Sequence, residues 1–423
     1  MNDLMIPLIE DSRVPLYRQI YDYIKKEIQE EKMKAGEKLP SSRLLAKNLC
    51  ISRSTVDMAY DQLLSEGYIE SVPCKGYYVC QVEGLYFSKK KTAEKPVREK
   101  KNNPVYRWDF ALNGIASGGF PHNAWRKLSR EVLSQEGDGL FQLGDPCGEP
   151  GIRQAVAEYL HSARGVDCDP DQIIIGAGND YLLMLLWVIL GRNRKIAMEN
   201  PTYLSAYYDL IHMGCQILPV GQDSQGIRVE ELEQSGADMA YVMPSHQFPM
   251  GMVMPMKRRM ELLKWAQSKA ERYIIEDDYD SEFRYKGKPI PALQGYDGNG
   301  KVIYIGTFSK SIAPAIRMSY LVLPAKLCRV YEDRCSFINS TVSKVDQLIL
   351  QKFIEDGYYE RHLNKMRALY KSRHDTLLAA LKNWNAGFSI SGENAGVHLL
   401  LHFHDGRGEE ELIRLAASKG IKV

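Results

Sequence analysis

Lys310 stands in the run Thr307-Phe308-Ser309-Lys310-Ser311-Ile312-Ala313-Pro314-Ala315-Ile316-Arg317, directly after the strand-like Val302-Ile303-Tyr304-Ile305-Gly306. A lysine just beyond a strand end, between hydroxyls and with an arginine two helical turns on, suits a ligand that carries both an aldehyde and a phosphate. The amine can form a Schiff base, and Thr307, Ser309 and Arg317 can hold a dianion. Pyridoxal 5'-phosphate has both groups and is the expected cofactor, with Lys310 as the catalytic residue.

Other chemistry-bearing residues fall after further strand candidates, at 173–175, 195–198, 216–220, 239–243, 273–275, 302–305 and 320–323. Helical stretches alternate with them, which predicts an α/β fold with a mostly parallel sheet covered on both faces. Ligands in such sheets bind beyond the carboxyl ends of the strands. Gly176-Ala177-Gly178-Asn179-Asp180 follows the first candidate and opens a helix, so Ala177, Gly178 and Asn179 suit a phosphate. Tyr203, in Pro201-Thr202-Tyr203, can stack on a ring, though a core position is the alternative. Glu276-Asp277-Asp278-Tyr279 supplies a carboxylate for a pyridine nitrogen and a phenol for the ring oxygen. Asp277 and Tyr279 are the expected pair, with Asp278 and Asp280 as alternatives to Asp277. His246, in Pro244-Ser245-His246-Gln247, is either part of this site or a structural histidine.

A second kind of chemistry occupies the first eighty residues. Leu16, Ile20, Ile24 and Ile28 repeat every four residues and predict a helix over 15–31. Leu39-Pro40-Ser41-Ser42-Arg43 starts a second helix under a serine cap, and Ser52-Arg53-Ser54-Thr55 starts a third that ends at Gly67. Two strand-like runs, 68–72 and 77–79, flank Pro73-Cys74-Lys75-Gly76. Three helices and a hairpin make a winged helix-turn-helix, in which the start of the third helix faces base edges and the wing meets the backbone. Arg53 and Thr55 are placed for bases or phosphates and Arg43 and Lys75 for phosphate, with Ser52 at the same helix start, on double-stranded operator DNA; an ordinary solvated helical hairpin is the alternative. Position carries this reading, because 11–80 hold eleven basic and ten acidic residues.

The 423 residues are expected to divide into a DNA-binding domain at 10–80, a basic flexible linker at 81–108 and a large domain at 109–423. The linker carries eight basic residues, Lys89-Lys90-Lys91 among them, against three acids, and adds non-specific attraction to phosphate. A net charge of +2 excludes a histone-like basic field. No run reaches membrane-spanning length, no signal peptide is evident, and the eight scattered cysteines fit no zinc pattern. A reduced, cytoplasmic protein without membrane or metal is expected.

The motifs Leu39-Pro40-Ser41-Ser42-Arg43-x-Leu45-Ala46, Ser52-Arg53-x-Thr55-Val56-x-x-Ala59-Tyr60 and Leu63-x-x-Glu66-Gly67 resemble the DNA-binding domain of GntR-type bacterial regulators. In that family, the residues matching Arg43, Arg53, Thr55 and Gly76 contact operator DNA, and Asp57 departs from members with a basic residue there. Phe120-Pro121, Trp125, Gly148, Ile152-Arg153, Arg164-Gly165 and Pro244-Ser245-His246-Gln247-Phe248-Pro249 resemble the fold-type-I aminotransferase version fused to such domains, the MocR type. The resemblance implies a transcriptional regulator with pyridoxal phosphate on Lys310, partnered by Asp277, Tyr279 and Arg317. It also implies a homodimer in which each DNA-binding domain packs against the partner's large domain. The effector would be an amino compound or the cofactor itself, and efficient turnover is not expected. The alternative is an active aminotransferase with a fused DNA-binding domain. Two departures bear on turnover: Phe248-Pro249-Met250-Gly251 replaces Asn-Pro-Thr-Gly, and the chain stops at Val423, before the family's C-terminal arginine, as if its last domain were incomplete.

Overall fold

The computed structural model describes residues 4–9, 12, 14–81, 105–111, 114–116, 118–134, 138–191, 193–285, 290–384, 387–393 and 395–423. The chain forms two compact units, Met1–Asn103 and Pro104–Val423. Most of the expected linker, with Lys89-Lys90-Lys91, lies outside the described residues.

In the first unit, α1 (Leu16–Gln29), α2 (Ser42–Asn48) and α3 (Arg53–Ser65) precede a hairpin of β1 (Ile69–Val72) and β2 (Gly76–Val79). The four-residue repeat of α1 puts Ile20, Ile24 and Ile28 on one stripe, which packs with Leu45 of α2 and Val56, Ala59, Tyr60 and Leu63 of α3. Polar ties hold the helices in register. Lys25 pairs with Glu66 at 2.8 Å, and the Tyr60 hydroxyl donates to the Pro40 carbonyl at 2.9 Å. Serines cap both helices of the turn: Ser41 accepts from the Leu44 N–H and Ser52 from the Thr55 N–H. Gly67, with φ +74°, takes the left-handed position that ends α3.

The second unit begins with the short β3 (Trp108–Asp109), α4 (His122–Leu133) and α5 (Pro150–Arg164). There follow β4 (Ile173–Gly176), α6 (Asn179–Leu190), β5 (Lys195–Asn200), α7 (Leu204–His212), β6 (Gln216–Asp223), β7 (Gly226–Ile227), α8 (Val229–Gln234), β8 (Met239–Val242), α9 (Met256–Gln267), β9 (Tyr273–Asp278), β10 (Val302–Thr307) and β11 (Ser319–Val322). After these come α10 (Ala325–Cys335), α11 (Lys344–Glu355), the long α12 (Tyr358–Lys382), a hairpin of β12 (Phe388–Ser391) and β13 (Leu400–Phe403), α13 (Glu409–Ser418) and β14 (Ile421–Lys422), which pairs with β3.

All seven strand candidates join one eight-stranded sheet, ordered β4-β11-β10-β9-β8-β5-β6-β7. The run β10-β9-β8-β5-β6 is parallel, while β11 is antiparallel to both neighbours and β7 turns back on β6. The central strands are buried on both faces, as parallel strands under helices must be. Alternation sorts their side chains: Tyr241, Ile275, Ile303 and Ile305 pack with α6 and α10, while Ile173, Tyr304 and Tyr320 face α5 and α11. Among the described residues no helix is long and apolar enough to cross a membrane.

Candidate functional site

The site is built on the end of β9. Period-two alternation sends Asp277 to one face of the sheet and Glu276 and Asp278 to the other. Tyr241 of β8 is registered opposite Ile275, which puts it on the face of Asp277, and its hydroxyl donates to Asp277 Oδ2. Asn179, at the start of α6, donates to the other oxygen at 3.4 Å. Burial pushes Asp277 up to about 7, with Asp278 and Asp280 adding to the rise and the two donors opposing it. A cationic N–H placed opposite this carboxyl would favour its ionised form.

On the other face, Tyr304 donates to Asp278, and buried Arg164 donates through Nε to Asp278 Oδ2 at 2.9 Å and through Nη2 to Ser245 at 2.7 Å. Glu276 accepts the N–H groups of Leu293 and Gln294. Asp280 sets both oxygens 3.0 Å from His246 Nδ1. Of the three acids weighed from the sequence, Asp278 is thus committed to Arg164 and Asp280 to His246, while Asp277 sits on the α6 side.

Lys310 lies in the turn after β10 and is half-buried. Burial draws its amine below the ordinary lysine range, with Asp280 opposing the shift. The spacing from Lys310 to Arg317 is not helical, contrary to the expectation of two helical turns. A turn and a single 3-10 segment, Pro314–Ile316, fill it, and Arg317 adopts a left-handed φ of 48°. Pro314 explains the difference, because it has no N–H for a continuing helix. Arg317 then reaches the first turn of α6, where its Nη2 meets Asp180 Oδ2 at 2.7 Å. Gly178, with φ +96°, makes room: a Cβ there would lie 2.2 Å from that guanidinium. Ala177 donates its N–H to Thr341 at 3.1 Å.

Thr307 Oγ1 accepts from Ser319 at 2.8 Å and from the Ser309 N–H at 3.1 Å, whereas Ser309 Oγ and Asn179 Oδ1 are buried without a hydrogen-bond partner among the described residues. Tyr203 is 39% exposed, which disposes of a core role, and meets Phe248 edge-on at 5.7 Å. The Tyr279 hydroxyl is 3.2 Å from His246 Nδ1, and burial keeps it protonated far above the tyrosine range.

In the first unit, Arg43 and Arg53 are exposed in the first turns of α2 and α3, and Lys75 is exposed at the wing tip beside Gly76, whose φ is +108°. Ser52 and Thr55 share a hydroxyl contact of 2.8 Å at the start of α3. Arg53 Nε also pairs with Asp57 Oδ2 at 3.3 Å, one helical turn on.

Tyr241 and the buried Arg164–Ser245 tie escaped the sequence reading, which gave none of them a role. Tyr241 left a usable signal: it lies inside a strand candidate, and an aromatic hydroxyl on a buried strand needs an acceptor.

Comparison with known proteins agrees with these two units. Residues 16–79 match the gntR family of bacterial regulatory proteins, and residues 113–421 match the class I and II aminotransferases. The chain is 40% identical to the HTH-type transcriptional regulator YdeL of Bacillus subtilis, over 97% of this chain and 89% of that one. It is 32% identical to the probable rhizopine catabolism regulatory protein MocR of Rhizobium meliloti, over 99% and 87%. The kynurenine aminotransferase of Pyrococcus horikoshii superposes with a TM-score of 0.68 at 26% identity, covering 76% of this chain and 81% of the enzyme. A winged helix-turn-helix joined to an aminotransferase fold, with relatives of that design along nearly its whole length, places this chain in the MocR-type branch of the GntR family of transcriptional regulators.

Proposed function

We propose that the large unit binds pyridoxal 5'-phosphate at Lys310 and senses through it a small amino compound, or the cofactor itself, and that this state sets the affinity of the winged unit for operator DNA. The observation that carries the reading is the grouping of Lys310, Asp277, Tyr279, Ser309 and Arg317 at the carboxyl edge of one sheet, in a chain that also holds a winged helix-turn-helix. The residues fit the cofactor. Ser309 and Asn179 hold buried oxygens without partners, and the glycine at 178 leaves a cradle beside Arg317 that any Cβ would fill.

When bound, pyridoxal phosphate supplies an electrophilic carbonyl and an electron-withdrawing ring. Lys310 is the nucleophile, and its burial favours the neutral amine. Asp277 holds the proton of the ring nitrogen, with Tyr241 and Asn179 fixing the carboxylate. The Tyr279 hydroxyl serves the ring oxygen and Tyr203 covers the ring. Thr307, Ser309, Arg317 and the N–H groups around Ala177 and Gly178 hold the phosphate.

At the DNA, Arg53 and Thr55 read base edges from the start of α3, Ser52 shapes that start, and Arg43, Lys75 and the Gly76 turn meet phosphates. The regulator works as a cytoplasmic homodimer. Met184 and Val188 of α6, with Leu204, Tyr208 and Ile211 of α7, stay exposed and supply an apolar surface for a second copy.

Turnover is not the function in this reading, since Phe248 has no donor for the ring oxygen where ordinary aminotransferases carry asparagine. The likeness to a working aminotransferase, with Lys310 and Asp277 both present, favours the second reading of an active enzyme with a fused DNA-binding unit. The deciding experiment uses borohydride labelling, operator affinity with and without amino compounds, and amino transfer to a keto acid. Labelled Lys310 and shifted affinity without transfer support regulation, and sustained transfer supports the enzyme.

A further inference from the structure

Arg367, on α12, is half-buried and held by two bonds: its Nε donates to the Glu282 carbonyl at 2.7 Å and its Nη1 to Asn364 Oδ1 at 2.9 Å. Both acceptors are neutral. No carboxylate pairs with this guanidinium among the described residues. A cation drawn partly out of water is ordinarily met by an anion, and a fork of five N–H donors has hydrogens left to give after two bonds. Those two bonds also fix the plane of the fork, so a ligand pays little ordering entropy there.

Arg367 lines a cavity of about 260 Å³. One wall is α5, with Tyr159, Ala163 and Arg164; the segment after β9 brings Ser281, Glu282 and Arg284. The volume is below the about 300–1,000 Å³ of pockets for drug-sized ligands, so the occupant is small. Charge on the walls favours an anion. Arg164 is already met by Asp278 at 2.9 Å, which offsets it. Arg284 and Arg367 add two further positive charges against the single carboxyl of Glu282. Burial pushes that carboxyl up to about 7, with Asp278 and Asp280 adding to the rise and Arg164 opposing it. The Tyr159 hydroxyl donates to it at 3.3 Å. When ionised, Glu282 opposes a dianion more than a singly charged ligand, and Ala163 and the Tyr159 ring offer apolar contact. A short-chain carboxylate therefore fits better than phosphate.

We propose that this cavity is a second ligand site, for a small organic carboxylate held by the uncommitted donors of the Arg367 fork. Arg284 adds charge, the Ser281 hydroxyl adds a donor, and the carbon chain lies against Ala163 and Tyr159. The site stands on the Arg164 side of β9, away from Asp277, and the proposal does not depend on cofactor binding.

The test is isothermal titration of the full chain in low-salt buffer at pH 8 with sodium butyrate, which has no amine to condense with an aldehyde, and with sodium phosphate for comparison. Saturable binding of one butyrate per chain is expected, with phosphate weaker. Arg367→Gln should weaken butyrate binding by about 10–100-fold, the loss of a charge-assisted pair. Glu282→Gln keeps a hydrogen-bond donor and acceptor but removes the charge, so it should tighten binding by about two- to fivefold, which a merely structural role for Glu282 would not produce. Absence of saturable binding, full affinity in a folded Arg367→Gln protein, or phosphate binding tighter than butyrate would overturn the proposal. Should Arg367→Gln not fold, Glu282→Gln decides: tighter binding supports the site, and unchanged or weaker binding refutes it.

Discussion

At the residue scale, neighbouring side chains on one strand do opposite work. Asp277 and Asp278 are adjacent, yet one meets Tyr241 and Asn179 and the other meets Arg164 and Tyr304. Lys310→Ala is expected to lose the borohydride label while the protein stays folded and retains weak cofactor binding through the phosphate contacts. Peptide mapping and dialysis check it, and a label on another lysine would refute the assignment. Tyr241→Phe removes a donor that lowers the proton affinity of Asp277, so the carboxylate should hold the ring-nitrogen proton of bound cofactor to higher pH than in the unaltered protein; a spectroscopic pH titration reads this directly. Glu199 offers a test of burial. It is 1% exposed, and burial raises it from 4.5 to about 7 against hydrogen bonding from Gln247 and the N–H groups of Met243 and Ile227, which opposes the rise. The folded chain keeps that proton when the unfolded chain has lost it, so stability falls as pH rises from about 4.5 to about 7 and then levels. The loss is on the order of 3 kcal/mol for this group. Glu199→Gln should flatten the decline in thermal midpoint between pH 5 and 8, and an unchanged slope would count against it.

Among the elements, the first turn of α3 carries both a helix cap and the proposed base-reading residues. Ser52 caps the helix, and its hydroxyl also ties to Thr55 and Ser54. Ser52→Ala should cost about 0.5–2 kcal/mol of stability in the first unit, measured by chemical denaturation. Arg53→Ala should reduce the ratio of operator to random-DNA affinity, because a paired arginine and guanine contribute about 1–3 kcal/mol of discrimination. An unchanged ratio would mean that α3 is not the reading helix. Asp57 holds Arg53 through an exposed ion pair, and in the proposed docking its negative charge would face the phosphates. Replacing it, Asp57→Asn, should therefore raise affinity for all DNA and steepen the salt dependence.

For the whole molecule, the question is whether chemistry at Lys310 reports to DNA or runs to product. A regulator needs different effector affinities in its two DNA-binding states, since only a differential affinity can shift an equilibrium. At least one amino compound is expected to change both the visible spectrum and operator affinity. Transfer to a keto acid should be negligible beside the typical enzyme range of about 1–1,000 per second. Multiple turnovers in that range would establish the enzyme reading. Substituting Val188→Glu on the exposed face of α6 should lower the oligomeric mass in solution, and an unchanged mass would remove that face from the dimer.

Much of this design was legible in the sequence because it rests on local rules. The four-residue repeat of α1, the serine caps of α2 and α3, and the short apolar runs of the sheet follow from backbone geometry, and each formed where it was read. Motif resemblance pointed to both units and to the family. What needed tertiary structure was the choice between faces. Alternation alone says that Asp277 and Asp278 point opposite ways, but not which way leads to α6 and which to Arg164. That was decided by which helix covers each face, through contacts far apart in the chain. The same holds for His246 and His398, about 150 positions apart and brought ring to ring only when the C-terminal hairpin folds over the end of β8. Local periodicity fixes elements because it acts through neighbouring residues, whereas a site made of distant side chains exists only once the core has packed.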